Sequence, residues 1–108
     1  MTEKTGYKVI AELVVAPHGV GTSLSKYVKE AVKIIDNYPG IRVWHHPMGT
    51  VIEADTIDII LDVTKKAHMA LINAGCKRVI TTLKIDDRRD KIRRMEDKVK
   101  AVTDNIKN

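Results

Sequence analysis

The sequence predicts an α+β fold: a four-stranded antiparallel sheet in βαββαβ order, with one extra helix at the C-terminus. Three observations carry this. Four short stretches rich in Val, Ile and Leu are interrupted by two amphipathic ones. A tight turn at Pro47-Met48-Gly49 joins the middle two strands. A further apolar stripe at helical spacing follows the fourth strand. With 108 residues, the chain 1–108 forms a single domain.

Lys8 to Ala16 reads as the first strand, apolar on both sides except at Glu12, as a central strand covered on both faces would be. Pro17 is expected to end it. The loop from His18 to Ser23 holds two glycines, and Thr22 or Ser23 can cap the helix that follows. That helix carries Leu24, Val28, Ala31 and Ile35 on one face and stops at Pro39-Gly40. The loop matches neither the P-loop nor the dinucleotide pattern, so a helix cap accounts for it better than a phosphate site.

Ile41 to His46 and Gly49 to Ala54 form the second and third strands. If the turn has two residues, Arg42 stands opposite Glu53, Trp44 opposite Val51 and His46 opposite Gly49; a bulge near Met48 would shift this register by one. Ile41, Val43, Ile52 and Ala54 then face the helices. Arg42, Trp44, Val51 and Glu53 take the other face. Asp55 or Thr56 caps the second helix, whose stripe is Ile57, Ile60, Leu61, Thr64, Ala67 and Leu71, with Gly75 as its stop. Lys77 to Ile85 is the fourth strand, and Asp86 to Asp90 a charged break. The last helix places Ile92, Met95, Val99, Val102 and Ile106 three and four residues apart. This order is the ferredoxin-like pattern, with the first strand between the third and fourth. Glu12 and Glu53 then share a helix-free face with Ile10, Val14, Trp44, Val51 and Ile80. Such a face is too apolar to stay wet and calls for self-association.

Composition narrows the class. Apolar residues make up 44% and charged residues 31%, as in soluble globular chains. No apolar run approaches the roughly 20 residues of a membrane span, and the first residues lack the apolar core of a signal peptide. A cytoplasmic protein is expected. Cys76 is the single cysteine, which leaves no internal disulfide. The net charge of +5 sits entirely in residues 77–108, where eleven Lys and Arg face six Asp and Glu. The signs alternate there, as on a solvated helix face, and a nucleic-acid surface is disfavoured.

The chemistry centres on Glu53. A carboxylate in a strand this apolar needs a partner, because an unpaired charge is costly away from water. One reading turns it toward a pocket for a small amine-bearing or cationic ligand. The other pairs it with Arg42 or Lys84 as a structural ion pair. Trp44 can stack on a ring or pack in an interface. His45 and His46 point to opposite faces, as adjacent strand residues do, so they do not chelate one ion; no metal is expected.

Three stretches together resemble one family: Gly21-Thr22-Ser23-Leu24-Ser25-Lys26-Tyr27-Val28, Met48-Gly49-Thr50-Val51-Ile52-Glu53-Ala54 and Lys84-Ile85-Asp86-Asp87-Arg88. They are similar, in order and spacing, to the small thiamine-binding-protein-like proteins. The resemblance implies a ferredoxin-like fold and a homotetramer built as a dimer of dimers. It also implies binding of thiamine or its hydroxymethylpyrimidine moiety, with no catalytic activity and no cofactor. An ionised carboxylate can accept from the exocyclic amine of the pyrimidine and balance the thiazolium charge. Glu53 is the first candidate for that role and Glu12 the second. Trp44 can stack on a ring, the hydroxyls of Ser23, Ser25 and Thr50 can finish the polar contacts, and Met48 and Gly49 line the turn.

Other functions compete. The same fold serves as a regulatory domain for other small metabolites. It also serves as an RNA-binding module, but the absence of Phe and of an aromatic pair on the sheet counts against that use. An enzyme working through Glu12 and Glu53 would need one acid held protonated beside an ionised partner, and nothing in the sequence marks such tuning.

Overall fold

The structure is a computed structural model that describes residues 6–21 and 24–107, with side chains as far as Asp104. The elements run β1 (Val9–His18), α1 (Ser25–Asp36), β2 (Arg42–His46), β3 (Gly49–Ala54), α2 (Ile57–Asn73), β4 (Arg78–Asp87) and α3 (Met95–Lys107). One antiparallel sheet has the order β2-β3-β1-β4, so the first strand does lie between the third and fourth. The hairpin register is the expected one: Arg42 faces Glu53, Trp44 faces Val51 and His46 faces Gly49.

Burial follows from this alternation. Val9, Ala11, Leu13, Ile52 and Ala54 project to the helix side, where Ala31 and Ile35 of α1 and Ile60, Val63, Ala67 and Leu71 of α2 close over them. Burying apolar surface on one side of the sheet is the main stabilising term, at about 25 cal/mol per Å². In α2 the inward stripe uses Val63; Leu61, expected inside, is half exposed. At about 100° per residue Val63 lies about 60° from Ile60, on the same side as Ala67, whereas Leu61 lies about 100° away on the other side and rotates past the sheet. Thr56 is the α2 cap, its hydroxyl accepting from Ile59 N at 3.3 Å. Gly75, at φ +109°, ends that helix, where Cys76 N donates back to Leu71 O at 3.0 Å.

Three boundaries differ from the sequence reading. Pro17 does not end β1, which runs on to His18. Among the described residues the strand beyond Leu13 is paired only with β4, so Pro17 lies at a one-sided edge, where a missing N–H is tolerated. Asp86 and Asp87 belong to β4, paired with Ile10 and Val9, and are not part of the break. Ile92 precedes α3, which starts at Met95. The Thr22 and Ser23 cap falls outside the described residues; Leu24 stands at the α1 N-cap with no side-chain hydrogen bond.

Candidate functional site

The sheet face away from α1 and α2 carries two groups of polar side chains, one at each end. At the β1 N-terminal end stands Glu53, only 2% exposed. Its strand neighbours are apolar, but both its oxygens are occupied. Arg94 donates to Oε1 from Nη2 at 2.9 Å and from Nε at 3.2 Å. Arg42 Nη1 lies 3.3 Å from each oxygen. The backbone N–H of Met95, at the start of α3, donates to Oε2 at 2.8 Å. A buried carboxylate is tolerated when paired and hydrogen-bonded in this way. Arg42 bridges onward to Glu96; that contact, with Glu53 next, keeps the guanidinium charged above its usual range and holds the Glu96 carboxyl below the usual carboxylate range. Of the two partners expected for Glu53, Arg42 is present and Lys84 is not. Arg94 was not foreseen.

One row along, Trp44, Val51, Glu12 and Lys84 stand side by side across the sheet. Trp44 is half exposed, at 53%. Its ring lies 5.5 Å from that of His46, tilted by 45°. His46 Nε2 is 3.4 Å from Glu12 Oε2. Met48 N donates to His46 Nδ1 at 3.3 Å, which fixes Nε2 as the ring N–H that faces Glu12. Glu12 is half exposed and has no other partner among the described residues. Its carboxylate therefore keeps free acceptor positions on the face that carries Trp44, with His46 between them. Trp44 also opens onto a groove of about 650 Å³ between β2 and α3, walled by Met95, Glu96, Val99 and Thr103.

The remaining expected residues lie elsewhere. Gly49 sits in the next row, opposite His46, where a Cβ would come within 3.0 Å of Val14 Cγ2. Met48 projects from the turn, 80% exposed. Thr50 points to the helix side, buried, and holds His45 Nδ1 at 2.9 Å. Ser25 opens α1 on that same side and is exposed. Ser23 lies outside the described residues. Glu12, Trp44 and Gly49 are thus gathered on one face, with Glu53 one row away, while Thr50 and Ser25 are separated from them by the sheet. The sequence reading missed Arg94 and His46. His46 could have been found from the hairpin register, which puts it on the Trp44 face.

Among the described residues no group of three His, Cys, Asp or Glu side chains is placed to hold a metal ion. Nor is any helix among them long and apolar enough to cross a membrane.

Comparison with known proteins places this architecture. Residues 11–103 match the family model described as thiamine-binding protein. A UPF0045 protein of Methanothermobacter thermautotrophicus is 46% identical over 99 residues, covering 91% of this chain and 99% of the relative. The crystal structure of a hypothetical protein from Methanocaldococcus jannaschii superposes with a TM-score of 0.81 at 43% identity, over 89% of this chain and 96% of that one. A Bacillus cereus domain of unknown function superposes with a TM-score of 0.80 at 28% identity, over 91% and 92% of the two chains. A match along nearly the whole chain, in sequence and in the order of the strands, shows that this chain belongs to the thiamine-binding protein family.

Proposed function

We propose that the protein binds thiamine or its hydroxymethylpyrimidine moiety, without chemical conversion, as a carrier, buffer or sensor within a homotetramer. The observation that carries this reading is the half-exposed Trp44, on the same sheet face as the half-exposed carboxylate of Glu12 and opening onto a groove lined by Met95 and Val99. A flat cationic ring stacked on an indole gains about 0.5–2 kcal/mol. An ionised carboxylate alongside can accept from an exocyclic amine. Small-ligand sites are commonly of this kind, mostly apolar with a few placed polar groups. Trp44, with Glu12 as acceptor, therefore forms the contact surface, and Met48 and Gly49 shape its rim. Glu53, one row away on the same face, supports this surface by holding the start of α3. Self-association is favoured by the apolar groups left outside: Trp44, Ile80, Val99 and Val102 are all between 41% and 60% exposed.

The test is calorimetric titration with thiamine, its phosphates and hydroxymethylpyrimidine, followed in parallel by the emission of Trp44, the single tryptophan. Binding should quench that emission. Glu12→Gln should weaken it at least about tenfold, or about 1.4 kcal/mol, and Trp44→Leu by a similar factor. Light scattering should report a tetramer. Absence of heat and of quenching with all these ligands would remove the proposal.

A further inference from the structure

We infer that Glu53 is a positioning residue: it latches the start of α3 to the sheet and so builds the α3 wall of the Trp44 groove. The claim that this matters for ligand affinity rests on the reading proposed above; the latch itself does not. The Glu53 carboxylate reaches across to an amide 42 residues later in the chain. That amide belongs to the first turn of α3, where N–H groups have no partner within the helix and the helix dipole favours a negative charge. Arg94 grips the same carboxylate from the residue before the helix, and Asp97 Oδ2 accepts from Arg94 N at 2.9 Å, which fixes the turn from inside.

The other attachments of α3 are ionic as well. Glu96 meets Arg42, and Lys98 meets Asp86. By contrast, the apolar stripe of the helix is largely outside, with Val99 57% and Val102 60% exposed. The helix is therefore held by charge at its first turns and only weakly by apolar burial. Met95, Glu96, Val99 and Thr103 all line the groove beside Trp44. Without the latch that wall has little to keep it in place, and Trp44 would lose the α3 side of its groove. Glu53 thus shapes the site with no free lone pair to offer a ligand.

The segment before α3 holds Arg88, Arg89, Lys91, Arg93 and Arg94, which trypsin recognises. In Glu53→Gln the isosteric neutral side chain should let the helix leave. Tryptic cleavage within 88–94 should then accelerate by about tenfold or more, following the population of the open form, and Trp44 emission should shift to the red. Thiamine affinity should fall by a similar factor. Val63→Ala, a core truncation, is the control: it should lower the melting temperature and leave this cleavage pattern unchanged. If Glu53→Gln does not fold, Arg94→Gln is read the same way, since it removes an exposed partner and leaves the acid with Arg42 and Met95 N. Unchanged cleavage and emission would overturn the latch. Faster cleavage with unaltered thiamine affinity would overturn its role in the site. Should the wild-type protein bind no thiamine, the binding reading fails alone, and cleavage and emission still decide the latch.

Discussion

Asp36, the last residue of α1, and His45, in the edge strand β2, meet at 2.7 Å between Oδ1 and Nε2. Because an ionised carboxylate only accepts, Nε2 carries the proton; in the neutral ring Nδ1 then accepts from the Thr50 hydroxyl at 2.9 Å. Two exposed groups thereby satisfy a buried one, and the end of the helix is tied to the edge of the sheet.

His45→Ala should therefore destabilise the fold by about 1–3 kcal/mol, because it leaves the buried Thr50 hydroxyl without a partner. The double variant His45→Ala with Thr50→Val should be more stable than the single one. Urea denaturation, with an unchanged slope, is the measurement.

Tyr38 Oη donates to Asp62 Oδ2 at 2.6 Å. That bond first, and burial after it, hold the phenol above its ordinary range, while the same bond and then Lys66 hold the Asp62 carboxyl below its own. A raised phenol favours the folded state at all pH values below its ordinary pKa, and this contribution is lost as pH rises through the raised value. A lowered carboxyl contributes above its ordinary pKa, and that contribution is lost as pH falls through the lowered value. Tyr38→Phe should flatten the stability profile at both the alkaline and the acid end. Ultraviolet titration should show the loss of the tyrosine component that ionises above the ordinary range.

Gly49→Ala should cost about 1–3 kcal/mol, as overpacking does. The added Cβ would meet Val14 Cγ2 at 3.0 Å, which can shift a little, and Leu13 O at 3.2 Å, which is backbone and cannot. Thermal melting would register the loss, and a melting temperature equal to wild type would show that the hairpin can slide away from β1.

Thr56→Ala should cost about 1 kcal/mol through the lost cap of α2, and Thr56→Ser almost nothing. The comparison of both variants by calorimetry isolates the hydroxyl from the methyl.

The hairpin register was legible only on the condition of a two-residue turn, since a bulge near Met48 would shift it by one; the turn has no such bulge, and Glu53 faces Arg42. The strand order followed from the order of elements alone. The need of Glu53 for a partner was also visible, since an acid between Ile52 and Ala54 stands out. Its main partner was not: Arg94 sits in a run of mixed charges where no periodicity distinguishes one arginine from another. Thr50 and Ser25 looked like neighbours of Glu53 in sequence terms, but strand alternation sends Thr50 through to the opposite layer. The α2 stripe was misread at Leu61 because two equally apolar residues compete there, and only the sheet beneath decides between them.

The outer stretch of β1, from Val14 to His18, is paired with β4 on one side and, among the described residues, has no strand on the other. A bare ladder of that length is an invitation to any passing chain to add itself as a fifth strand. Pro17 interrupts the row of donors there and cannot complete such a pairing. The residue that looked like a stop signal for the strand thus serves as a guard on its open flank, keeping this margin of the sheet from nucleating aggregates.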